Sequence, residues 1–572
     1  MDVRAGAIYS HCGNKTGGVM PSIKLSVTVR STLARKYSAA SLAAIQQAIS
    51  AWIAADKTRG ITTVHVALDD AVAMAAQGVK AVKGKVTAVR AKKAVDALAK
   101  KLAPDYIVIL GGDDVLPYFH VKNPSFDPKG DTDPTVPTDN PYACSGPYRP
   151  GSLKSYLVPD RVVGRIPDLP ASAGAGDPAW IVAFLKTATK WKAKPRSFYA
   201  AAYGTCCDQW KDAGLATMRY LELPEADLMI SPPTGDASVT ARKRLARPLH
   251  FTKAHGSEID AHFYGQKGQS YPEVLFSATV ASHAGAGTLV GAMCCYGAQV
   301  YSPADPAATP PGALPISLSY LRTGATGFVG ATKIAWVGPQ EMMCADWIVA
   351  TYLKKSLDGS STGRALLEAK QDYLQYLVKQ GMNPDTADEK TMIEFVLLGD
   401  PALHPIKGGV PSAPPAPAKK AAKATKAAKK KDVATFARAA ALRSERRMAR
   451  AVIAVQVDSA LPRREPARAP RAETARRLFE AAAGLLEKVD IAKLDPADAK
   501  ASRLVAPPAS AGVPKSLRAA VAASRGTTSR GHSIEYTWTG RKVVKNHVQI
   551  SLLKVHADAR GNVLRSRLLL SS

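Results

Sequence analysis

The chain has 572 residues, a hydrophobic fraction of 46% and a formal net charge of +30, which fits several globular domains. It has no run of about 18 apolar residues, so we predict no membrane-spanning helix. The N-terminal residues lack a basic segment followed by a long apolar one, so we expect no secretory signal and a cytoplasmic protein. The 7 cysteines include no CxxC pair and do not indicate a disulfide framework.

The positive charge is concentrated near the end of the sequence. Residues 411–572 hold 33 Lys and Arg against 12 Asp and Glu, whereas residues 1–410 hold 44 against 35. Lysine-rich segments bind phosphate backbones without sequence selectivity, so weak nonspecific contact with nucleic acids is one prediction for this tail. The alternative is a plain solvated tether.

The first part of the chain alternates between predicted strands and helices. IKLSVTVR has the period of a half-buried strand, and residues 38–55 have apolar positions at helical spacing. YIVILGG is an unbroken apolar strand of the kind that is buried on both faces of a parallel sheet. VVGRI and WIVAFLKTATKW repeat the order of strand and helix. The pattern predicts an α/β layer.

A long loop rich in proline, glycine and aspartate spans residues 119–156. Asp127, Asp131 and Asp133 could supply oxygen ligands to a structural Ca²⁺, although their spacing is not that of an EF-hand. A solvated acidic loop is the alternative.

The stretch from Pro248 to Pro303 is predicted to carry the chemistry. One apolar run ends in His255 and Gly256, and a second ends in Cys294 and Cys295. Residues 271–285 between them are predicted to form a helix, with Val274, Leu275, Ala278 and Val280 on one face. Because the carboxyl ends of parallel strands meet at one edge of a sheet, the pattern brings the histidine and the cysteines together.

An imidazole beside a thiol can activate it for nucleophilic attack and later protonate the leaving group. We expect Cys295 to be the nucleophile and His255 its acid and base. The backbone N–H groups of Gly256 and Cys295 could form an oxyanion hole, since glycine lets the backbone approach a substrate carbonyl. The alternative is that both side chains are packed core residues.

The two runs, one ending in His-Gly and one in a small residue and Cys, resemble the caspase-fold cysteine peptidases, most of all the gingipain-type branch. PDYIVILGGDDVLP, TDNPYAC, PDRVVGRIPDLP and LLGDPALHP also resemble that branch, in the same order. The resemblance covers roughly residues 20 to 408. It implies a mainly parallel sheet flanked by helices in two half-domains, and a chemistry that needs no cofactor and no metal. Both Cys-x-Gly and Cys-x-x-Gly occur among such enzymes, so Cys294 is the alternative nucleophile.

The resemblance also implies cleavage after Arg or Lys, with a carboxylate in the pocket for that side chain. The apolar run 198–203 predicts a strand, and Asp208 follows it at the same rim as His255 and Cys295. We therefore expect Asp208 to bind the basic side chain of a protein or peptide substrate. The alternative role for Asp208 is a helix cap near Trp210. The alternative function for the whole chain is an idle caspase-fold binding or scaffold protein with a basic tail that associates with nucleic acids.

Four regions follow from these patterns. Residues 1–195 form the N-terminal half-domain, 196–407 the catalytic half-domain, 408–432 a Pro/Ala/Lys linker, and 433–572 a basic C-terminal region that is helical and then β. We expect the catalytic unit to end at GDPALHP and to act on small peptides without the tail.

Overall fold

The computed structural model describes residues 22–380, 382, 384–407, 463–467, 470–486, 494–505, 533–544, 547–558 and 562–572. The predicted linker and the Arg-rich helical segment predicted at residues 434–456 lie outside the described residues.

The strands are numbered in chain order. They are β1 Ser22–Thr28, β2 Ile61–Ala67, β3 Tyr106–Leu110, β4 Phe119–Lys122, β5 Thr135–Thr138, β6 Val163–Ile166, β7 Ala202–Cys207, β8 Leu228–Ser231, β9 Leu249–Lys253, β10 His255–Gly256, β11 His262–Tyr264, β12 Glu273–Phe276, β13 Leu289–Ala292, β14 Gly327–Ala331, β15 Trp336–Val337, β16 Phe395–Leu398, β17 Arg463–Pro466, β18 Lys500–Val505, β19 Ser533–Val544, β20 His547–Ala557 and β21 Val563–Ser571.

The α-helices are numbered in the same way. They are α1 Arg30–Lys36, α2 Ala39–Thr58, α3 Ala71–Ala76, α4 Ala88–Leu102, α5 Asn140–Ala143, α6 Ala179–Lys190, α7 Lys211–Tyr220, α8 Val239–Arg244, α9 Ser277–His283, α10 Ile316–Arg322, α11 Ala345–Leu357, α12 Thr362–Lys379, α13 Thr386–Glu394 and α14 Ala472–Ala481.

A ten-stranded sheet forms the centre of the fold, in the order β2-β1-β3-β6-β16-β14-β13-β9-β7-β8. All neighbouring pairs are parallel except β14 and β16, which are antiparallel. The sheet therefore consists of two parallel halves that run in opposite directions. This arrangement, flanked by helices, is the predicted mixed α/β fold.

The motifs that carry the family resemblance in the first half are mainly structural. Arg165 is fully buried and donates to the carboxylate of Asp139 at 3.0 Å and to the carbonyls of Gly111 and Leu116 at 3.0 and 2.8 Å. Removing one partner would leave a buried charge uncompensated, so these residue types depend on one another. TDNPYAC, PDRVVGRIPDLP and the GGDDVLP segment are thus joined through a single guanidinium group.

A second sheet of six strands, ordered β15-β21-β20-β19-β18-β17, contains the C-terminal strands. Its strands are antiparallel, and β15 of the catalytic half forms its edge, with Trp336 opposite Ser571 and Val337 opposite Leu570. The predicted C-terminal β region is therefore confirmed. The structure differs from our expectation of a separate tail, because this sheet is built onto the catalytic half.

Two local predictions were wrong. The strand expected at 198–203 is β7 at Ala202–Cys207, and Arg196–Tyr199 form a 3-10 turn in which the Tyr199 hydroxyl donates to the Gly287 carbonyl at 2.9 Å. Val274 and Leu275, expected on a helix, belong to β12, which pairs with β11. In both places pairing with neighbouring strands overrides the local apolar pattern.

Candidate active site

The predicted strand-helix-strand unit is present at the centre of the sheet. β9 and β13 are parallel neighbours, with Thr252 opposite Ala292. His255 lies three residues beyond Thr252, and Cys295 lies three residues beyond Ala292, so both follow their strands at the same edge. The structure therefore brings the predicted dyad residues to one place.

Close backbone contact at this edge depends on Gly256. A Cβ atom on residue 256 would lie 1.9 Å from the carbonyl oxygen of Cys295, well inside contact distance. Only glycine fits there without a shift of the backbone. The chain following β9 is therefore packed directly against the chain following β13.

Cys294 and Cys295 have different surroundings. Cys294 is fully buried in the main hydrophobic core, and its thiol donates to the Thr252 carbonyl at 3.5 Å. The thiol of Cys295 lies at the rim, where it accepts from the Ala335 amide at 3.2 Å. Burial raises the pKa of Cys295 to about 12 and that of Cys294 well above its usual value. Of the two thiols, only that of Cys294 belongs to the main core cluster among the described residues.

The loop after Cys295 adopts a backbone conformation that is rare for its residue type. Tyr296 has φ +56°, in the left-handed region, and its amide donates to the Lys333 carbonyl at 2.9 Å. Its hydroxyl donates to Asp133 at 3.1 Å. Strained non-glycine residues cluster at functional sites, where the surrounding structure holds them in place.

His255 is held by Gln266, a residue that the sequence did not indicate. His255 Nε2 lies 2.7 Å from Gln266 Oε1, while Gln266 Nε2 donates to the Gly268 carbonyl at 3.2 Å and to the Tyr271 hydroxyl at 2.7 Å. A backbone carbonyl only accepts, so the amide nitrogen faces Gly268 and the amide oxygen faces the histidine. Nε2 therefore carries the proton, which leaves Nδ1 as the basic nitrogen. The imidazole ring also packs on Trp210, with centroids 4.6 Å apart.

A buried ion pair positions the segment beside Cys295. Lys253, at the end of β9, donates to Asp346 at 2.5 Å and to the Gly338 carbonyl at 3.0 Å. The second oxygen of Asp346 accepts from the amides of Gly338 and Met343 at 3.0 and 3.1 Å. The other hydrogen bonds of this ion pair thus go to the loop after β15 and fix its position.

Asp208 follows β7 at the predicted edge. Its carboxylate is partly exposed and lies 3.4 Å from Lys267 Nζ, and its amide donates to the Gln266 carbonyl at 3.1 Å. The adjoining helix α7 has no side-chain cap, so the structure does not give Asp208 the alternative capping role. The carboxylate thus lies at the rim, paired with Lys267 and next to the residue that holds His255.

The end of the sequence lies against this site. The Cys295 amide, one predicted oxyanion-hole donor, donates to the main-chain oxygen of Ser572 at 2.7 Å. Ser572 is buried, its amide donates to the Ala335 carbonyl at 3.1 Å, and its side chain contacts the Cys295 thiol. The main-chain oxygen of Ser572 thus accepts from the amide that is predicted to stabilise an oxyanion.

The three loop aspartates considered for Ca²⁺ each face a lysine. Asp131 pairs with Lys390, Asp133 with Lys333 at 3.0 Å, and Asp127 with Lys500 at 2.7 Å. Among the described residues, the group within metal-binding reach of one another is instead Asp385, Glu535 and His556. Lys554 lies 3.4 Å from Asp385 and 3.8 Å from Glu535, so a protein cation already compensates that group.

The fold and the rim define a caspase-like α/β protein with a histidine and a cysteine at adjacent strand ends. Residues 249–406, which contain both, match the family model of peptidase family C25, the gingipain family of cysteine peptidases. The match confirms the predicted resemblance. It supports cysteine peptidase activity at the level of the family.

Other comparisons add less. A solved protein described as "Structure of Protease" is similar over 68% of this chain and 79% of its own, with 14% identity and a TM-score of 0.46. No curated protein matches the sequence. In the described part of the chain, every helix falls short of the length and hydropathy needed to cross a bilayer.

Proposed function

We propose that the chain is a cysteine endopeptidase with Cys295 as nucleophile and His255 as general base and acid. The observation that carries the proposal is the juxtaposition of the two strand ends, together with the Cys295 amide directed at the main-chain oxygen of Ser572. The family match over residues 249–406 supports the same chemistry.

The proposed reaction proceeds through an acyl-enzyme. The Cys295 thiol transfers its proton to His255, and the sulfur attacks the scissile carbonyl carbon. The oxyanion accepts hydrogen bonds from the amides of Cys295 and Gly256. His255 then protonates the leaving amine as the C–N bond breaks. Water, deprotonated by the same imidazole, hydrolyses the thioester and restores the thiol.

Replacement of each cysteine tests the nucleophile. Cys295→Ala is expected to abolish peptide hydrolysis, whereas Cys294→Ala is expected to retain most of it. Labelling by a peptidyl electrophile ending in Arg, with the modified residue located by mass spectrometry, provides the second readout. Loss of activity in Cys294→Ala alone would move the assignment, and full activity in both variants would refute the peptidase. An idle scaffold predicts no labelling at all.

Specificity for Arg or Lys on the acyl side of the cut is the finer part of the proposal. Asp208 supports it, because its partly exposed carboxylate already attracts the ammonium group of Lys267. A carboxylate left unpaired against an apolar side chain costs roughly 2–5 kcal/mol, which corresponds to a preference of about 30-fold or more. Asp208→Ala should lose this preference. Asp212→Ala, an exposed acid in the first turn of α7, is the matched control.

Four further predictions accompany this function. Protein or peptide substrates follow from the peptidase class. Weak contact between the basic tail and nucleic acids rests on charge alone, and much of that charge lies outside the described residues. The cytoplasmic location and a structural Ca²⁺ also remain predictions.

A further inference from the structure

The C-terminal sheet contacts Cys295 directly and also contacts Gln266, the residue that holds His255. On one side, the main-chain oxygen of Ser572 accepts from the Cys295 amide at 2.7 Å. On the other side, Gln549 of β20 is buried and donates to Gln266 Oε1 at 3.2 Å, the same oxygen that receives His255. A substrate therefore cannot reach the thiol and the imidazole while β20 and β21 remain in place.

The chain approaches Cys295 in the geometry of a bound peptide. Leu570 and Ser571 pair antiparallel with Val337 and Trp336, and the Ser572 amide continues the ladder to the Ala335 carbonyl at 3.1 Å. An extended peptide that adds to a strand edge gains its affinity from such main-chain hydrogen bonds. The ladder ends where the main-chain oxygen of Ser572 meets the Cys295 amide, in the position expected for the carbonyl oxygen of a substrate's acyl part.

Most of the contacts that hold β21 in place lie away from Cys295. Arg567 is 2% exposed and donates to Asp385 at 2.8 Å and to Asp388 at 2.8 and 3.1 Å. Leu569 packs in a buried cluster with Trp336, Cys344, Ala387, Ile550 and Leu552. At the thiol itself the chain offers only the small side chain of a serine. The contact at Cys295 is thus held in place by contacts with α13 and the region around Cys344.

We infer that the C-terminal sheet is an intramolecular inhibitor, in which Leu570–Ser572 occupy the acyl side of the catalytic cleft and must move away before substrate binds. The inference rests on the proposed function for its meaning, but the closure itself is a property of the structure. Burial that raises the pKa of Cys295 to about 12 keeps its thiol protonated in this closed form. A protonated thiol is a poor nucleophile.

The test compares two aspartate substitutions on β21 of the full-length protein. Leu570 is fully buried opposite Val337, and Leu564 on the same strand is 61% exposed. Leu570→Asp is expected to detach the end of the strand, whereas Leu564→Asp is the matched control. The probe is iodoacetamide, which needs no peptidase activity, and mass spectrometry measures the rate of modification at Cys295.

We expect Cys295 to react at least about tenfold faster in Leu570→Asp than in the wild type or in Leu564→Asp. Cys294, fully buried in the core, reports on global unfolding and should stay unmodified. If Cys294 becomes modified in Leu570→Asp, that variant is replaced by Leu570→Ala, which removes the same packing without adding a charge. Equal rates at Cys295 in the wild type and the folded Leu570 variant would overturn the inference.

Peptide hydrolysis by the same proteins separates the inference from the proposed function. Faster hydrolysis together with faster alkylation in the Leu570 variant supports both. Faster alkylation without hydrolysis supports the closure and refutes the peptidase. Unchanged alkylation with ready hydrolysis by the wild type refutes the closure and leaves the peptidase standing.

Discussion

Substitution of Arg567 tests most directly how strongly the C-terminal sheet is bound to the catalytic half. Its guanidinium group donates to two buried carboxylates of the catalytic half, Asp385 and Asp388, and to the Cys344 sulfur at 3.3 Å. In Arg567→Leu both carboxylates lose a buried positive partner. Breaking a buried pair by removing one member destabilises by about 3–5 kcal/mol.

This loss should appear first as detachment of the sheet, because Arg567 joins β21 to the catalytic half. While the sheet stays attached, Lys554 lies 3.4 Å from Asp385 and keeps part of the charge compensated. At about 3 kcal/mol, the equilibrium between attached and detached forms shifts roughly 100-fold. Urea unfolding followed by tryptophan fluorescence measures the stability, since Trp336 and Trp538 lie on strands of this sheet.

Arg503→Leu is the matched control, because Arg503 is an exposed arginine on β18 of the same sheet. Its effect on unfolding should stay below about 0.5 kcal/mol. A change of less than about 1 kcal/mol in Arg567→Leu, or equal effects of the two substitutions, would refute the reasoning that this pair anchors the sheet.

Three other substitutions or conditions have defined outcomes. Gly256→Ala should abolish hydrolysis and lower stability, because its Cβ would meet the Cys295 carbonyl at 1.9 Å; Gly146→Ala, with open space around it, should behave as the wild type in both assays. Alkylation of Cys295 should still accelerate between pH 8 and 10, since its pKa of about 12 lies above the ordinary value of 9.0; a plateau near pH 9 would contradict this. In the Leu570→Asp background, Gln266→Leu should lower kcat about tenfold or more with little change in KM, and it should shift the pH profile of hydrolysis. Gln266→Glu should restore kcat.

The raised pKa of Cys295 also predicts how the stability of the closed form depends on pH. Cys295 has a raised pKa in the folded protein, so the neutral thiol favours this form fully below the ordinary pKa of about 9. That stabilisation is lost as the pH rises toward 12. Closure by the C-terminal sheet should therefore weaken in alkaline solution, in the direction that also produces thiolate.

The sequence carried enough information for the centre of the site. Two apolar runs of strand length, each followed by a chemically useful residue, predict parallel strands whose ends meet, and β9 and β13 do so. Cys294 lies in the core and Cys295 outside it, while the choice of Cys295 as nucleophile stays a prediction. Both inferences use local patterns, which is why one sequence suffices for them.

The supporting residues could not be predicted in the same way. Gln266 follows β11 in a segment without a distinctive pattern, and Asp346 pairs with Lys253 across 93 positions. The loop aspartates are similar: their lysine partners lie up to several hundred residues away, so a group of acids resembled a cation site. Long-range charge pairing leaves no periodic signal in the sequence.

The pairing of β15 with β21 could not be predicted from the sequence for the same reason, and it joins the C-terminal region to the catalytic half. β15 is only two residues long, and its partner lies more than 230 positions further on. The composition of the sequence suggested a basic tail separate from the catalytic unit. In the structure, Lys554 and Arg567 lie on the buried face of the C-terminal sheet and form ion pairs with acidic residues of α13 and of the position before it. Part of the excess positive charge is therefore used inside the molecule.

Covalent attachment explains how so small a residue as Ser572 can block the site. A segment tethered to its own cleft acts at an effective concentration in the millimolar range, so weak local contacts suffice to keep it bound. Ser572 supplies a main-chain oxygen for the Cys295 amide but no long side chain for a pocket near Asp208. The strength of closure then resides in Arg567 and Leu570, away from the reacting atoms. A ligand or modification that weakened the contacts of Arg567 would open the cleft without touching the dyad, whereas a substrate would have to compete with the whole strand.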